Sequence, residues 1–271
     1  MDIPLRLVCI DAPSGTPRGT LLSLVRQDPQ AAGVLTTGHK TELGRDLTGY
    51  ATVTKDVRRL REAGTLRVDT DGLHASAHDV AAGGDIVQEL LADSRWETGA
   101  RHAVVLGAGG AGLALACVLT EASGVRQVIL TEQSSARRRE VRHILEAAGL
   151  DGGRVALAPA TQNDSLVAEA PPGTLLVNAT GLGKDTPGSP LADTTPLPAR
   201  SLFWELNYRG QRPLLARAQA TTGSTGGRAV DGWDFFVRSW FEALKTILET
   251  NWGRDELATF FRCAGEVQKQ W

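Results

Sequence analysis

Residues 103–112, AVVLGAGGAG, constrain this chain more than any other stretch. An apolar run leads into Gly107, Ala108, Gly109, Gly110, Ala111 and Gly112, and then into the helical pattern LALACVLTEASG. Strand, glycine turn and helix start follow in the order a dinucleotide site requires. Gly107 permits the tight turn, Gly109 lets the backbone approach a pyrophosphate, and Gly112 lets the helix pack close to the strand. Free N–H groups at the helix start then face the phosphate charge. Glycine turns also arise for structural reasons alone, so context decides. A second apolar run, 127–131, follows the helix and ends at Glu132, 20 residues after Gly112. A carboxylate there can accept hydrogen bonds from both adenosine ribose hydroxyls. Motif and context together read as a nicotinamide-dinucleotide site, and hence as redox chemistry.

The rest of the chain is organised around that motif. From residue 101 strands are expected at 103–106, 127–131, 154–158, 174–178 and 202–206, with helices at 111–121, 135–148 and 213–220. Such alternation predicts a parallel, doubly wound sheet. The N-terminal part predicts strands at 5–10, 32–36, 65–68 and 73–77, the last two joined by an Asp71-Gly72 hairpin turn, and helices at 19–26, 55–62 and 85–91. The Gly/Thr/Ser-rich segment 221–227 reads as a loop. Two amphipathic helices follow at 233–250 and 254–268, bearing an aromatic stripe (Trp233, Phe235, Phe236, Trp240, Phe241) that at this spacing reads as core. The division expected is a substrate and catalytic domain over 1–97, completed by 230–271, and a dinucleotide-binding domain over 98–229. Hinges are expected at 97–99 and 221–227.

Composition narrows the partners. A formal net charge of −2 gives no basic excess for nucleic acid or an anionic membrane. No apolar run reaches the ~18 residues a bilayer needs. The start of the chain has no signal-peptide pattern, and Cys9, Cys117 and Cys263 are widely spaced in apolar surroundings. The expectation is a cytoplasmic protein whose three cysteines are reduced core residues. No CxxC or HExxH is present, and His74 and His78 fall on an expected strand, so no metal site is expected.

Several further motifs fall in a familiar order. Thr36-Thr-Gly-His-Lys40, Ala77-His-Asp79, Asn178-Ala-Thr-Gly-Leu-Gly183 and Glu205-Leu-Asn-Tyr208, with the glycine loop between them, resemble the shikimate and quinate dehydrogenase family over about residues 5–250. The resemblance implies two α/β domains, one of Rossmann type, with a cleft between them and C-terminal helices returning to the N-terminal domain. It implies reversible hydride transfer between a nicotinamide and an alcohol or ketone carbon of a small cyclic substrate. Lys40 takes the place of the catalytic lysine and Asp79 that of its partner. A lysine in a cleft, partly stripped of water, can relay the hydroxyl proton as hydride leaves carbon. Thr36, His78, Tyr208 and Ser239 fall at substrate-contact positions. The glycine loop with Glu132, Arg137, Asn178, Ala179, Thr180 and Gly181 falls at the cofactor.

The departures matter equally. The family's Ser-x-Ser pair, which grips the substrate carboxylate, has no counterpart before Lys40, and the stretch 5–13 resembles the family's second strand instead. Val34, Ala77 and Ser239 stand where the family carries Asn, Asn and Gln. A site stripped of these partners predicts a substrate other than shikimate, less hydroxylated or lacking the carboxylate. Glu132 favours NAD over NADP, whose 2′-phosphate it would repel, while Arg137 to Arg139 pull toward NADP. Two rival readings stand beside a dehydrogenase that works as a monomer or homodimer. One is a non-catalytic dinucleotide-binding sensor or partner module. The other is a methylene-tetrahydrofolate-type dehydrogenase, for which no motif is present.

Overall fold

A computed structural model describes residues 5–13, 15–92, 101–150, 153–184 and 186–269. Two sheets organise the chain. The first is built from β1 (Gly33–Leu35), β2 (Thr52–Val53), β3 (Thr65–Asp69) and β4 (Gly72–Ser76), in the order β1-β3-β4-β2. β3 and β4 form the hairpin expected at Asp71-Gly72, β1 joins β3 antiparallel, and β2 joins β4 parallel. Helices α1 (Arg18–Arg26), α2 (Lys40–Arg45) and α3 (Lys55–Leu60) accompany it. Leu22, Val25, Leu43, Val57, Leu66 and Leu73 form its core.

Helix α4 (Asp79–Leu91) leads toward the second sheet, made of β5 (His102–Leu106), β6 (Gln127–Glu132), β7 (Val155–Pro159), β8 (Leu175–Asn178), β9 (Leu202–Glu205) and β10 (Arg228–Val230). All its pairings are parallel and the order is β10-β9-β8-β5-β6-β7. The first strand of this unit, β5, lies centrally between β6 and β8, so the chain reverses direction there. This is the doubly wound topology with its switch point at β5/β8, and ligands of such sheets sit outside the strand ends at that point. Helices α5 (Gly110–Glu121), α6 (Ser135–Ala147), α7 (Asn163–Ala168) and α8 (Pro213–Thr225) make the crossovers. α5 is apolar on every side and buried from Gly112 to Thr120, as expected of a helix sealed between a sheet and a second layer. That layer is α4, whose Ala82, Ile86, Val87 and Leu90 join the core of the second sheet. Each large apolar side chain so buried contributes about 1.5–3 kcal/mol.

The two C-terminal helices, α9 (Trp233–Leu248) and α10 (Arg254–Gln268), follow β10. α9 packs on β1, β3 and α4, and so closes the first sheet with residues from the far end of the sequence.

Four expectations are corrected. Of the three cysteines expected in the core, Cys117 is buried but Cys9 and Cys263 are exposed, since Cys9 lies in a segment with no strand to pair it and Cys263 in α10, which buries no residue fully. Residues 5–10 form no strand, and Leu5, Leu7, Val8 and Ile10 lie exposed. Alternating apolar character cannot make a strand without a neighbour to pair its N–H and C=O groups. Residues 221–225 are helical rather than loop. Their hydroxyls bond back to the preceding turn, Thr225 Oγ1 to the Thr221 carbonyl at 2.8 Å and Thr221 Oγ1 to that of Ala218 at 3.0 Å. The helix ends only at Gly226, which is left-handed at φ +68°. Finally, α4 begins at Asp79 rather than at 85, because the Gly83-Gly84 pair hides its first turns from propensity. The hinge expected at 97–99 lies outside the described residues.

Candidate active site

The strand ends of the second sheet and the start of α4 meet at one cleft of about 330 Å³. Lys40 is the first residue of α2 and Asp79 the first of α4. Lys40 Nζ donates to Asp79 Oδ2 at 2.5 Å, with both side chains largely shielded. A carboxylate at a helix start is favoured by the dipole and a lysine there is not, so Asp79 stabilises Lys40 where its own helix does not. The hydrocarbon stem of Lys40 passes Gly64, at ordinary van der Waals distance from where a Cβ would stand.

The glycine loop forms the opposite rim. Gly107 takes φ +100°, which L side chains rarely adopt, and a Cβ on Gly112 would collide with the Gly107 carbonyl. These two glycines serve the fold. Gly109 differs, because a Cβ there would meet nothing within 4 Å. Its bareness leaves the backbone at the start of α5 open to the cleft, which Gly109, Gly110 and Ala111 line. The loop therefore fits a pyrophosphate on the N–H groups of α5.

The turn after β8 supplies the adjoining wall. Asn178 is itself buried beneath it: its Oδ1 accepts from Thr180 N–H and Oγ1, and its Nδ2 donates to Glu205 Oε2 at 2.8 Å. Asn178 thus shapes the turn, and Ala179, Thr180 and Gly181 face the cleft. Burial pushes the Glu205 carboxyl up to about 7 despite these hydrogen bonds.

Of the other sequence-derived site residues, Thr36, His78, Tyr208 and Ser239 all line the same cleft. Glu132 and Arg137 do not. Glu132 ends β6 and accepts from Ser134 N–H at 2.8 Å. Arg137 donates to the Ala108 carbonyl at 3.2 Å and to Glu62 Oε1 at 2.9 Å. His74 and His78 have separate surroundings, His74 lying 2.8 Å from Asp69 Oδ2. Among the described residues no cluster of three or more His, Cys, Asp or Glu could hold a metal ion.

Sequence reasoning missed two features. Glu62 is buried against Gly110, at the start of α5, beside Lys40 and Arg137, and desolvation raises its carboxyl to about 7. A lone acid in the stretch LREAG carries no signal of such a setting. The aromatic stripe of α9 is only partly core: Phe241 is buried away, whereas Phe236 and Trp240 face the cleft. Tyr208 stacks on Phe236 with centroids 3.9 Å apart and planes at 21°.

A doubly wound sheet whose switch-point crevice opens onto a second lobe defines a Rossmann-type α/β protein of the bilobal kind. No known family profile matches the chain. It is 27% identical over 198 residues to the shikimate dehydrogenase (NADP(+)) of Caulobacter vibrioides, a match covering 73% of this chain and 65% of that enzyme. It is 35% identical over 184 residues to the corresponding enzyme of Methylobacterium radiotolerans, covering 67% and 60%. These matches span less than two thirds of the relatives' own lengths. Among solved structures, quinate dehydrogenase from Corynebacterium glutamicum in complex with NAD superposes with a TM-score of 0.67 at 20% identity, over 92% of this chain and 84% of that one. The chain is thus a divergent sequence relative of shikimate dehydrogenases and shares the fold of a quinate dehydrogenase. No helix among the described residues is long and apolar enough to cross a membrane.

Proposed function

We propose that this protein is an NAD(P)-dependent dehydrogenase acting on an alcohol or ketone carbon of a small cyclic substrate other than shikimate. The observation that carries the reading is the 2.5 Å Lys40–Asp79 pair in the same cleft as the open glycine loop. Lys40 Nζ relays the hydroxyl proton of the substrate, and Asp79 fixes the direction of that amine and accepts a hydrogen bond. In the reductive direction Lys40 returns the proton to the new alkoxide oxygen. A bound nicotinamide supplies the two-electron acceptor or donor for this step. Gly109 to Ala111 would hold its pyrophosphate. Glu132 would take the ribose hydroxyls, which favours NAD; Arg137 is tied to Glu62 and the Ala108 carbonyl and so is drawn away from a 2′-phosphate. The relatives' names support a nicotinamide cofactor of either form.

Fluorescence titration with NAD, NADP and their reduced forms, followed by turnover on cyclic alcohols, tests the reading. Lys40→Ala is expected to cut kcat by about 10²–10⁴-fold with dinucleotide affinity unchanged. Binding of neither dinucleotide would overturn the dehydrogenase and promote a non-catalytic module. Selective NADP binding would overturn the role given to Glu132.

A further inference from the structure

Glu62 stands between the two halves of the candidate site. It follows α3 in the first lobe and is buried. Its Oε2 nevertheless lies 2.5 Å from where a Cβ on Gly110 would stand, against the first residue of α5. Lys40 Cδ lies 3.1 Å from the same point. A side chain at Gly110 would be driven into both. That bare position therefore brings a carboxylate and the stem of Lys40 up to the helix start that would hold the pyrophosphate.

Among the described residues, α2, α4, α5 and α6 all bring charged or titratable groups to this acid. Arg137 of α6 donates to its Oε1 at 2.9 Å and is shared with Glu140 at 3.1 Å. Lys40 of α2, tied to Asp79 of α4, adds one positive and one negative charge, and Thr41 Oγ1 lies at 3.5 Å. Cys117 of α5 faces it as a neutral thiol, pushed up to about 12 by burial. Arg137 and Lys40 favour the carboxylate, but desolvation outweighs them and raises the acid to about 7. A further negative charge nearby then decides whether the group holds its proton.

We propose that Glu62 is a positioning residue that takes up one proton from water when a dinucleotide binds, its carboxylate becoming a neutral carboxyl as the two negative charges of the pyrophosphate settle on the N–H groups of α5. The acid acts through the electric field at the start of α5 and needs no contact with the ligand. Once neutral, its carbonyl oxygen can still accept from Arg137. The proton offsets half of the negative charge that the pyrophosphate brings beside Lys40. The inference rests on the dinucleotide reading of the glycine loop and links cofactor affinity to pH. At about pH 5.5 the free protein already holds the proton, and binding takes up none. Above about pH 7 binding must draw it from water, so affinity falls as the pH rises.

Calorimetric titration of the full chain with NAD and with NADP, in two buffers of different ionisation enthalpy, counts the protons taken up. The parent should take up roughly half a proton at pH 7 and almost none at about pH 5.5, and its affinity should fall roughly tenfold between pH 6 and pH 8. Glu62→Gln is neutral at every pH. It should lose the uptake, match the parent's affinity at about pH 5.5 and bind roughly tenfold more tightly than the parent at pH 8. A glutamate with a purely structural role would instead give weaker binding at both. Protons gained by the nucleotide itself cancel between parent and variant. Glu205→Gln removes another acid that burial raises to about 7, and should leave the uptake unchanged. Arg137→Met strips Glu62 of its partner and should move the fall in affinity to higher pH, a check that stands even where melts show Glu62→Gln to be unfolded. Dinucleotide binding without uptake by the parent, uptake that survives Glu62→Gln or vanishes with Glu205→Gln, or an unmoved Arg137→Met curve overturns the inference and leaves the dehydrogenase reading standing. Binding of neither dinucleotide overturns both.

Discussion

Glu205 and Glu62 carry the molecule's pH dependence. Burial raises both carboxyls from the ordinary 4.5 to about 7. A folded-state value above the unfolded one means that the folded chain holds the proton more tightly between the two. Stability is therefore full below about 4.5, falls as the pH climbs, and has lost this contribution by about 7. Glu205→Gln mimics the protonated acid under Asn178. Its stability relative to the parent should grow by up to roughly 3 kcal/mol between pH 5 and pH 8 in denaturant melts. A difference that stays flat across that range would refute the assignment. Glu205 stood in a motif of the sequence and Glu62 did not, but the burial of neither was legible there, because burial of a single carboxylate depends on which elements close over it. Lys40 and Asp79 were legible only through the motif order, since their meeting joins the first residues of two helices 39 positions apart.

At the level of elements, the glycine turn separates fold from function. Gly112→Ala drives a methyl into the Gly107 carbonyl and should destabilise the chain by about 1–3 kcal/mol or more. Gly109→Ala adds a methyl to open space, so the melting temperature should hold while dinucleotide affinity falls. Paired melts and titrations check both; equal effects on stability would refute the division of roles. Strands β5 to β9 were readable because continuous apolar runs broken by turns are what a sheet covered on both faces demands. β2 and β10, of two and three residues, were too short to carry a period, and the hydroxyl-rich end of α8 looked like loop because Thr and Ser disfavour helices until they bond back to the preceding turn. The stripe on α9 was seen, but a helix pattern alone cannot tell a face packed on a core from one that walls a cleft.

Across the whole molecule, ion pairs link the helices beside the first sheet to those of the second. Arg45 meets Glu140, Arg59 meets Glu121, and Arg137 meets Glu62. The first two are partly exposed, and removing either arginine should cost no more than about 1 kcal/mol. The third holds a buried carboxylate, and its loss weighs more because Glu62 is left without its compensating charge. Arg137→Met should lower the melting temperature more at pH 8, where Glu62 is ionised, than at pH 5, where it is protonated. Equal losses at both pH values would show that Arg137 acts through packing alone.

The seating of α9 on β1 and β3 has a consequence for how the chain is made. Gly33 leaves no room for a side chain where Ile247 presses on it, so two segments far apart in the sequence must come together closely before the first sheet is covered. A ribosome releases that sheet early and the helix that covers it late. The strands of the doubly wound sheet are all made by β10, although Phe235 of α9 still joins their core beside Trp204. The usual N-terminal-first order of folding during synthesis is thus relaxed: both sheets are synthesised before the one helix that covers the first and plugs into the core of the second.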